Sequence, residues 1–254
     1  IVSNTETTAT VIGNPSSFTL TGDTYNIYDY HLISTSPCID AAYDATAPEF
    51  DLTGRPRFDD PLKPNATPGA PDMGAHEARI LFVDQAVTGG LEDGSSWANA
   101  HVDLQDALAV VEDGDRVYIA RGEYVPGSSR DDSFWISRMN LELFGGFISG
   151  QTNPQDRDWK TNRTLLSGEI GDPSNWDDNT RNILRSTSEH DFMVNGCFFF
   201  RAGNDTVPGG GYYVNGTGAA TQNFVKCVFV NNKAVRGGAA NIVGPAAGGL
   251  VVNF

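Results

Sequence analysis

Apolar residues in this chain fall in short runs separated by Gly, Asn, Asp and Pro. The runs Arg79–Asp84 (RILFVD), Arg116–Ala120 (RVYIA), Leu141–Phe147 (LELFGGF), Phe192–Phe200 and Phe224–Val230 read as strands bounded by turn residues. The pattern becomes helical once. Leu104, Ala107, Leu108 and Val111 fall at i, i+3, i+4 and i+7, Asp103 stands where an N-cap is needed, and Gly114 stops the run. The spacing predicts one short helix near residues 103–112 in an otherwise all-β chain.

The last third repeats itself. Val194–Phe200 overlays Phe224–Val230 at an offset of 30, with Cys197 on Cys227 and apolar residues on both sides. Gly210-Gly211-Tyr212-Tyr213 overlays Gly237-Gly238-Ala239-Ala240 at an offset of 27; at that offset Val251-Val252 falls on Phe224-Val225, and Phe254 on Cys227. A period of this length built from short strands predicts a solenoid. In a right-handed parallel β-helix each coil gives one strand to each of several parallel sheets, and like side chains stack about 4.8 Å apart. Asn and Gly at the corners supply the left-handed backbone that sharp bends need. The predicted helix, through Leu104, Leu108 and Val111, is expected to cover one end of that stack, because an open sheet end invites uncontrolled association.

The two ends of the sequence read as halves of one strand. With Phe254 at the Cys227 position, Asn253-Phe254 followed by Ile1-Val2-Ser3-Asn4-Thr5 overlays Lys226–Asn232 in phase. The chain opens on Ile1 rather than Met and carries no signal-peptide pattern, which reads as a processed product or an excerpt. Residues 1–77 are expected to complete a preceding or neighbouring unit, and residues 78–254 to form the N-terminal cap and first coils of a β-helix.

The segment His31–Glu77, "HLISTSPCIDAAYDA…DLTGRPRF…PDMGAHE", resembles the C-terminal end of secreted bacterial right-handed β-helix proteins of the choice-of-anchor Q type. Ile80–Tyr124 resembles the start of the same proteins, and Leu143–Asp172 their first coils. Gly237-Gly238 and Phe229–Asn232 resemble the repeats of polymorphic outer-membrane proteins. The order is permuted here, since the terminal element precedes the starting one. The resemblance implies a secreted β-helix, mostly of surface or adhesive scaffolds, and implies no activity.

Composition narrows the function classes. With 17 Lys and Arg against 32 Asp and Glu the net charge is −15. Such a chain is a poor nucleic-acid binder, because phosphate is repelled and no counterions are released. No apolar run is long enough to span a bilayer. Three Cys and no C-x-x-C argue against a disulfide framework or a zinc site. Cys197 and Cys227, stacked on neighbouring coils, stand within disulfide range or form a buried thiol ladder.

Catalytic patterns are thin. Nothing in the spacing of the Asp pairs Asp59-Asp60, Asp131-Asp132 and Asp177-Asp178 sets them facing each other across a sugar, and G-H-G is missing. A lyase reading would draw on Arg201, Lys226, Lys233 and Arg236, where acids are few. Glu189-His190-Asp191 reads as a charged turn, since neighbours on a strand point to opposite faces. His31, His76 and His101 have no ligand spacing. Asp84, Glu92 and Asp93 around a Gly-rich loop suggest Ca²⁺, or a plain turn with Trp97 beneath it. Asn65, Asn162, Asn204 and Asn215 begin N-x-Thr triplets and are read as loop exposure.

The sequence therefore favours an extracellular structural protein with no catalytic or metal site: a building block that associates with itself head to tail, as a homopolymer or a tandem repeat, into a filament or surface stalk. Its junction would be Ile1, Val2, Ser3 and Asn4 against Asn253 and Phe254. The competing readings are a carbohydrate-active β-helix enzyme and an adhesin that binds glycans through exposed aromatics such as Tyr212 and Tyr213. An aromatic row along one parallel sheet would favour the adhesin.

Overall fold

The structure is a computed structural model and describes residues 3–5, 8–10, 32, 36–42, 48–51, 57–60, 63, 71–73, 76–203, 206–244 and 250–254. The chain forms two compact units, Ile1–Tyr30 and His31–Phe254. The expected division at residues 77 and 78 follows the order of motifs rather than this contact boundary.

In the first unit, β1 (Ser3–Thr5) and β2 (Thr8–Thr10) pair antiparallel, with Asn4 opposite Ala9. Ile1 and Val2 lie outside the described residues.

The second unit contains β3 (Ile80–Val83), β4 (Arg116–Ala120), β5 (Gly122–Tyr124), β6 (Phe134–Ile136), β7 (Leu141–Phe147), β8 (Thr164–Ser167) and β9 (Leu184–Thr187). It continues with β10 (Phe192–Asn195), β11 (Cys197–Phe200), β12 (Tyr212–Asn215), β13 (Thr221–Val225), β14 (Val228–Val230), β15 (Ala240–Val243) and β16 (Val251–Asn253). These strands make three parallel sheets, ordered β16-β13-β10-β7-β4-β3, β14-β11-β8-β5 and β15-β12-β9-β6. From β4 onward the chain visits the sheets in a fixed cycle, and every strand pairs with the one three places along. The fold is mostly β, with one α-helix among the described residues, and its connectivity is consistent with a parallel β-helix.

Alternation within each strand builds the core. Inward side chains stack from strand to strand: Leu81, Val117, Leu143, Val194 and Phe224 in the first sheet; Tyr124, Leu166, Phe199 and Phe229 in the second; Phe134, Leu184, Tyr212 and Ala240 in the third. All but the last member of the second and third columns are buried. The strands β3 and β4 are buried on both faces, which is why they read as unbroken apolar runs. Their outer face carries a second cluster of Ile80, Phe82, Trp97, Tyr118, Phe144 and Phe147.

Single left-handed residues turn the chain from sheet to sheet. Gly196 (φ 78°) and Lys226 (φ 54°) occupy the corners between β10 and β11 and between β13 and β14; Arg201 (φ 63°) and Asn231 (φ 53°) follow β11 and β14. Each pair is one period of 30 apart. A Cβ at Gly196 would stand 2.9 Å from the Gly145 carbonyl oxygen, so glycine is required there by proximity as well as by φ.

The helix α1 (Leu104–Val110) begins at Asp103, whose carboxylate accepts from the Gln105 N–H at 2.9 Å. It ends sooner than the 103–112 span, because Val111 takes extended backbone (ψ 151°) as the C-cap. Leu104, Leu108 and Val111 are buried in the main core. The helix packs on β3 and β6, the first strands of two sheets.

Register corrects two of the overlays. Tyr212 pairs with Ala240 and Tyr213 with Asn241, an offset of 28 rather than 27. The Gly-Gly match marks hydrogen bonds instead: Gly210 N–H donates to Gly237 O and Gly211 N–H to Gly238 O, and a parallel ladder offsets donors from Cα partners. Thr221 pairs with Val251 and Asn223 with Asn253, an offset of 30, because the connection before β16 is two residues longer than the one before β13. Phe254 therefore follows the column of Phe224, not the Cys227 position. The overlay of Ile1–Thr5 on Val228–Asn232 is three residues out of phase.

Candidate functional site

The sequence-level catalytic candidates are engaged locally. Asp60 bonds the buried Arg116, Asp131 pairs with Arg181, and the Asp132 carboxylate accepts from the Ser129 N–H. Asp178 accepts from the Asp172 N–H. An N-x-D triplet that the sequence reading did not single out, Asn175-Trp176-Asp177, is a local turn in which the Asp177 N–H donates to Asn175 Oδ1. In Glu189-His190-Asp191, His190 Nδ1 lies 3.0 Å from Thr187 Oγ1 and the Asp191 carboxylate accepts from the Thr221 N–H. Burial pushes the His101 imidazole below its ordinary range. Asp84 and Asp93 accept from Ala86 and Ser95 N–H groups, with Trp97 buried nearby. Among the described residues no three His, Cys, Asp or Glu converge as metal ligands. No helix among them is long and apolar enough to cross a membrane.

The described residues of the motif-bearing segment between His31 and Glu77 are tied together by carboxylates. Asp40, Asp51, Asp60, Asp72 and Glu77 are all buried. Asp40 accepts from the Asp60 N–H at 3.0 Å, Asp72 from the Asp40 and Ala78 N–H groups at 2.8 and 3.0 Å, and Asp51 from the Glu77 N–H at 3.2 Å. Glu77 accepts from the Asp72 N–H at 3.1 Å and pairs with Arg57. Arg116 of β4 reaches Asp60 at 2.5 Å and fastens the segment to the first sheet. Burial raises the Asp40 carboxyl to about 7 and Asp72 to about 6, against the opposing pull of their N–H donors.

The outer face of the β6–β9–β12–β15 sheet carries the row Trp135, Arg185, Tyr213 and Asn241, one from each strand in register. The Arg185 guanidinium lies between two rings, 5.3 Å from the Trp135 centroid and 5.4 Å from that of Tyr213. Strand alternation puts Tyr213 outside and Tyr212 inside, where it is fully buried and its hydroxyl meets Gln222 Oε1 at 2.5 Å. Tyr212 is therefore not an exposed ligand aromatic. A cavity of about 190 Å³ beside the row is lined by Asp131, Arg181, Asn182, Arg185, Pro208 and Tyr213, among others. Nothing in the spacing of these residues marks them, because unlike side chains stack.

At the other end from α1, the outermost strands β14, β15 and β16 each have a strand neighbour on one side only among the described residues. Their exposed side chains include Val230, Ile242, Val243 and Val251, and Phe254 is 67% exposed. No charged residue lies within β13–β16. From Thr206 onward the chain carries Lys226, Lys233 and Arg236 and no Asp or Glu, whereas the preceding residues carry 14 cations and all 32 carboxylates. Cys197 and Cys227 stand one position before the paired Phe198 and Val228, and both thiols are free.

Comparison with protein-family models, with curated proteins and with solved structures finds no match to this chain.

Proposed function

We propose that the second unit is a right-handed parallel β-helix and that the chain is an extracellular structural protein whose copies join head to tail. Right-handedness is the rule for parallel strands linked by crossovers within a sheet. The observation that carries the reading is the face of β14, β15 and β16: strand edges unpaired among the described residues, exposed Val251, Ile242 and Phe254, and a surrounding segment with three cations and no acid. Unpaired edges with apolar side chains invite further strands.

The occupant proposed is the Ile1–Tyr30 unit of a second copy. That unit is compact by itself, contains the β1–β2 pair, and carries Glu6, Asp23 and Asp29 without a Lys or Arg. Three negative charges against three positive ones favour this polarity, while the acidic remainder of each copy disfavours side-by-side contact. A heterologous contact of this kind builds open filaments unless its rotation closes a ring. The resemblance of His31–Tyr124 to secreted β-helix proteins supports the extracellular placement.

The test is sedimentation and negative-stain microscopy of the full chain at low and high salt. Filaments or concentration-dependent oligomers are expected, weaker in high salt. They should be lost in K226E/K233E/R236E and in Val251→Asp. A chain that stays monomeric at high concentration and low salt, or filaments untouched by both variants, would overturn the proposal.

A further inference from the structure

We infer that the outer row Trp135–Arg185–Tyr213 binds an oligosaccharide that is mostly neutral and carries a carboxylated sugar. The inference is independent of the head-to-tail reading, since the row lies on the side of the coil stack and not on its end.

Arg185 is the chemically informative residue. It has no carboxylate partner among the described residues, in a chain where acids outnumber bases by 32 to 17. Its neighbour Arg181, four residues earlier, does have one, Asp131. The Arg185 Nε is buried and lacks a hydrogen-bond acceptor. The contacts with Trp135 and Tyr213 on either side restrict the guanidinium, which lowers the cost of holding its fork for a planar, two-oxygen ligand.

The two aromatics point to a sugar rather than a free anion. Trp135 is 42% exposed and Tyr213 is half-buried. They stand on strands two coil spacings apart, about 10 Å, with Arg185 over the inner face of each, so one extended ligand can run along the exposed sides of both rings while its carboxylate meets the outward end of the guanidinium between them. Aromatic faces offer an apolar body with low conformational entropy cost on binding. The adjoining cavity adds Asn182 and the Arg181–Asp131 pair as hydrogen-bonding groups on one side. A ligand of high charge density is disfavoured by the net charge of −15, which repels polyanions at long range.

The experiment is a calorimetric and NMR titration of the full chain with three probes: a xylo-oligosaccharide bearing one glucuronic acid, the same oligosaccharide without it, and polygalacturonate. The first should bind. The neutral one should bind about tenfold more weakly, the scale of one charge-assisted hydrogen bond, and polygalacturonate should bind no more tightly than the first. Arg185→Ala should bring the acidic oligosaccharide down to the affinity of the neutral one, and Trp135→Ala should weaken both. Arg185→Lys, which keeps charge and bulk and guards against a folding artefact, should lower affinity while leaving the circular dichroism and Tm unchanged. No binding of the acidic oligosaccharide, equal binding of the neutral one, or an undiminished preference for the acidic one in Arg185→Ala would overturn the inference.

Discussion

Phe254 lies on Phe224 with ring centroids 5.3 Å apart and planes inclined by 13°. Phe224 is also in ring contact with Phe192, Phe199, Tyr212 and Phe229 and is 3% exposed, so it is the point where the three inward columns meet near the open end. Phe224→Ala is expected to cost about 3–5 kcal/mol through lost transfer energy and the cavity left behind. Phe254 covers one side of that cluster and is open on the other, so Phe254→Ala should cost about 1 kcal/mol or less, the worth of one aromatic pair. Denaturant midpoints of the two variants check the order. Equal losses would mean that Phe254 is covered in solution.

The sequence shows some of this architecture and hides the rest for definite reasons. The period of 30 is visible in Val194 and Phe224 and in Phe198 and Val228, because apolar residues stack on apolar residues and the corners Gly196 and Lys226 keep the count. The buried face of α1 is visible in Leu104 and Leu108 because helical spacing needs no partner to be recognised. The position of Phe254 is hidden by a connection two residues longer than its predecessor. Arg185 between Trp135 and Tyr213 is hidden because a ladder of unlike residues has no self-similarity. The carboxylates of the motif segment are hidden because each accepts backbone N–H groups at irregular separations, such as Asp40 to Asp72 and Asp51 to Glu77.

Stability should rise as pH falls from neutral towards about 5. Folding raises the carboxyl of Asp40 from 3.8 to about 7 and that of Asp72 from 3.8 to about 6, with burial the leading cause. Between those limits the folded chain binds more protons than the unfolded one, so stability is fully present below about pH 4 and is lost as pH rises through 6 and 7. Relief of the net negative charge acts in the same direction. The combined effect is of order a few kcal/mol. Asp40→Asn should flatten the profile. Thermal melts at pH 5 and pH 8 measure it, and a lower Tm at pH 5 would contradict the assignment.

The thiols should divide by burial. Burial holds Cys197 well above the usual thiol range, and it pushes Cys227 to about 11; the Cys227 Sγ is 3.3 Å from the Val194 carbonyl oxygen. Both are therefore protonated at pH 8 and poor nucleophiles. Cys38 and Cys227 are both half-buried and Cys197 is fully buried, so it is the raised Cys227 thiol, held on the Val194 carbonyl, that separates the first two. Alkylation of the native chain at pH 8 should modify Cys38 first and reach Cys197 and Cys227 only on unfolding. Intact mass distinguishes free thiols from a Cys197–Cys227 disulfide, which would appear as the loss of two hydrogens.

The Arg116–Asp60 pair should behave as a clamp between the motif segment and β4. Both side chains are buried, and Arg116 Nη2 donates to Asp60 Oδ2 at 2.5 Å. Desolvation is the largest single influence and disfavours the Arg116 cation, but the charge and hydrogen bond of Asp60, with smaller contributions from Tyr118 and Glu142, together outweigh it and hold the guanidinium above its ordinary range. Asp60→Ala leaves that cation buried beside Tyr118 without its counter-charge, and should cost about 3–5 kcal/mol. Replacing both partners by apolar residues, as Asp60→Leu with Arg116→Met, removes the desolvation penalty with the pair, so the double variant should lie within about 1 kcal/mol of the parent. Denaturant midpoints of the parent, both single variants and the double variant give the coupling energy directly. Hydrogen exchange gives its location, since Asp60→Ala should expose the N–H groups of Asp40, Asp72 and Glu77 before those of β4. If the Asp60 variant loses less than about 1 kcal/mol, the pair is a surface-like contact in solution and the segment is held by its carboxylate-to-backbone bonds alone.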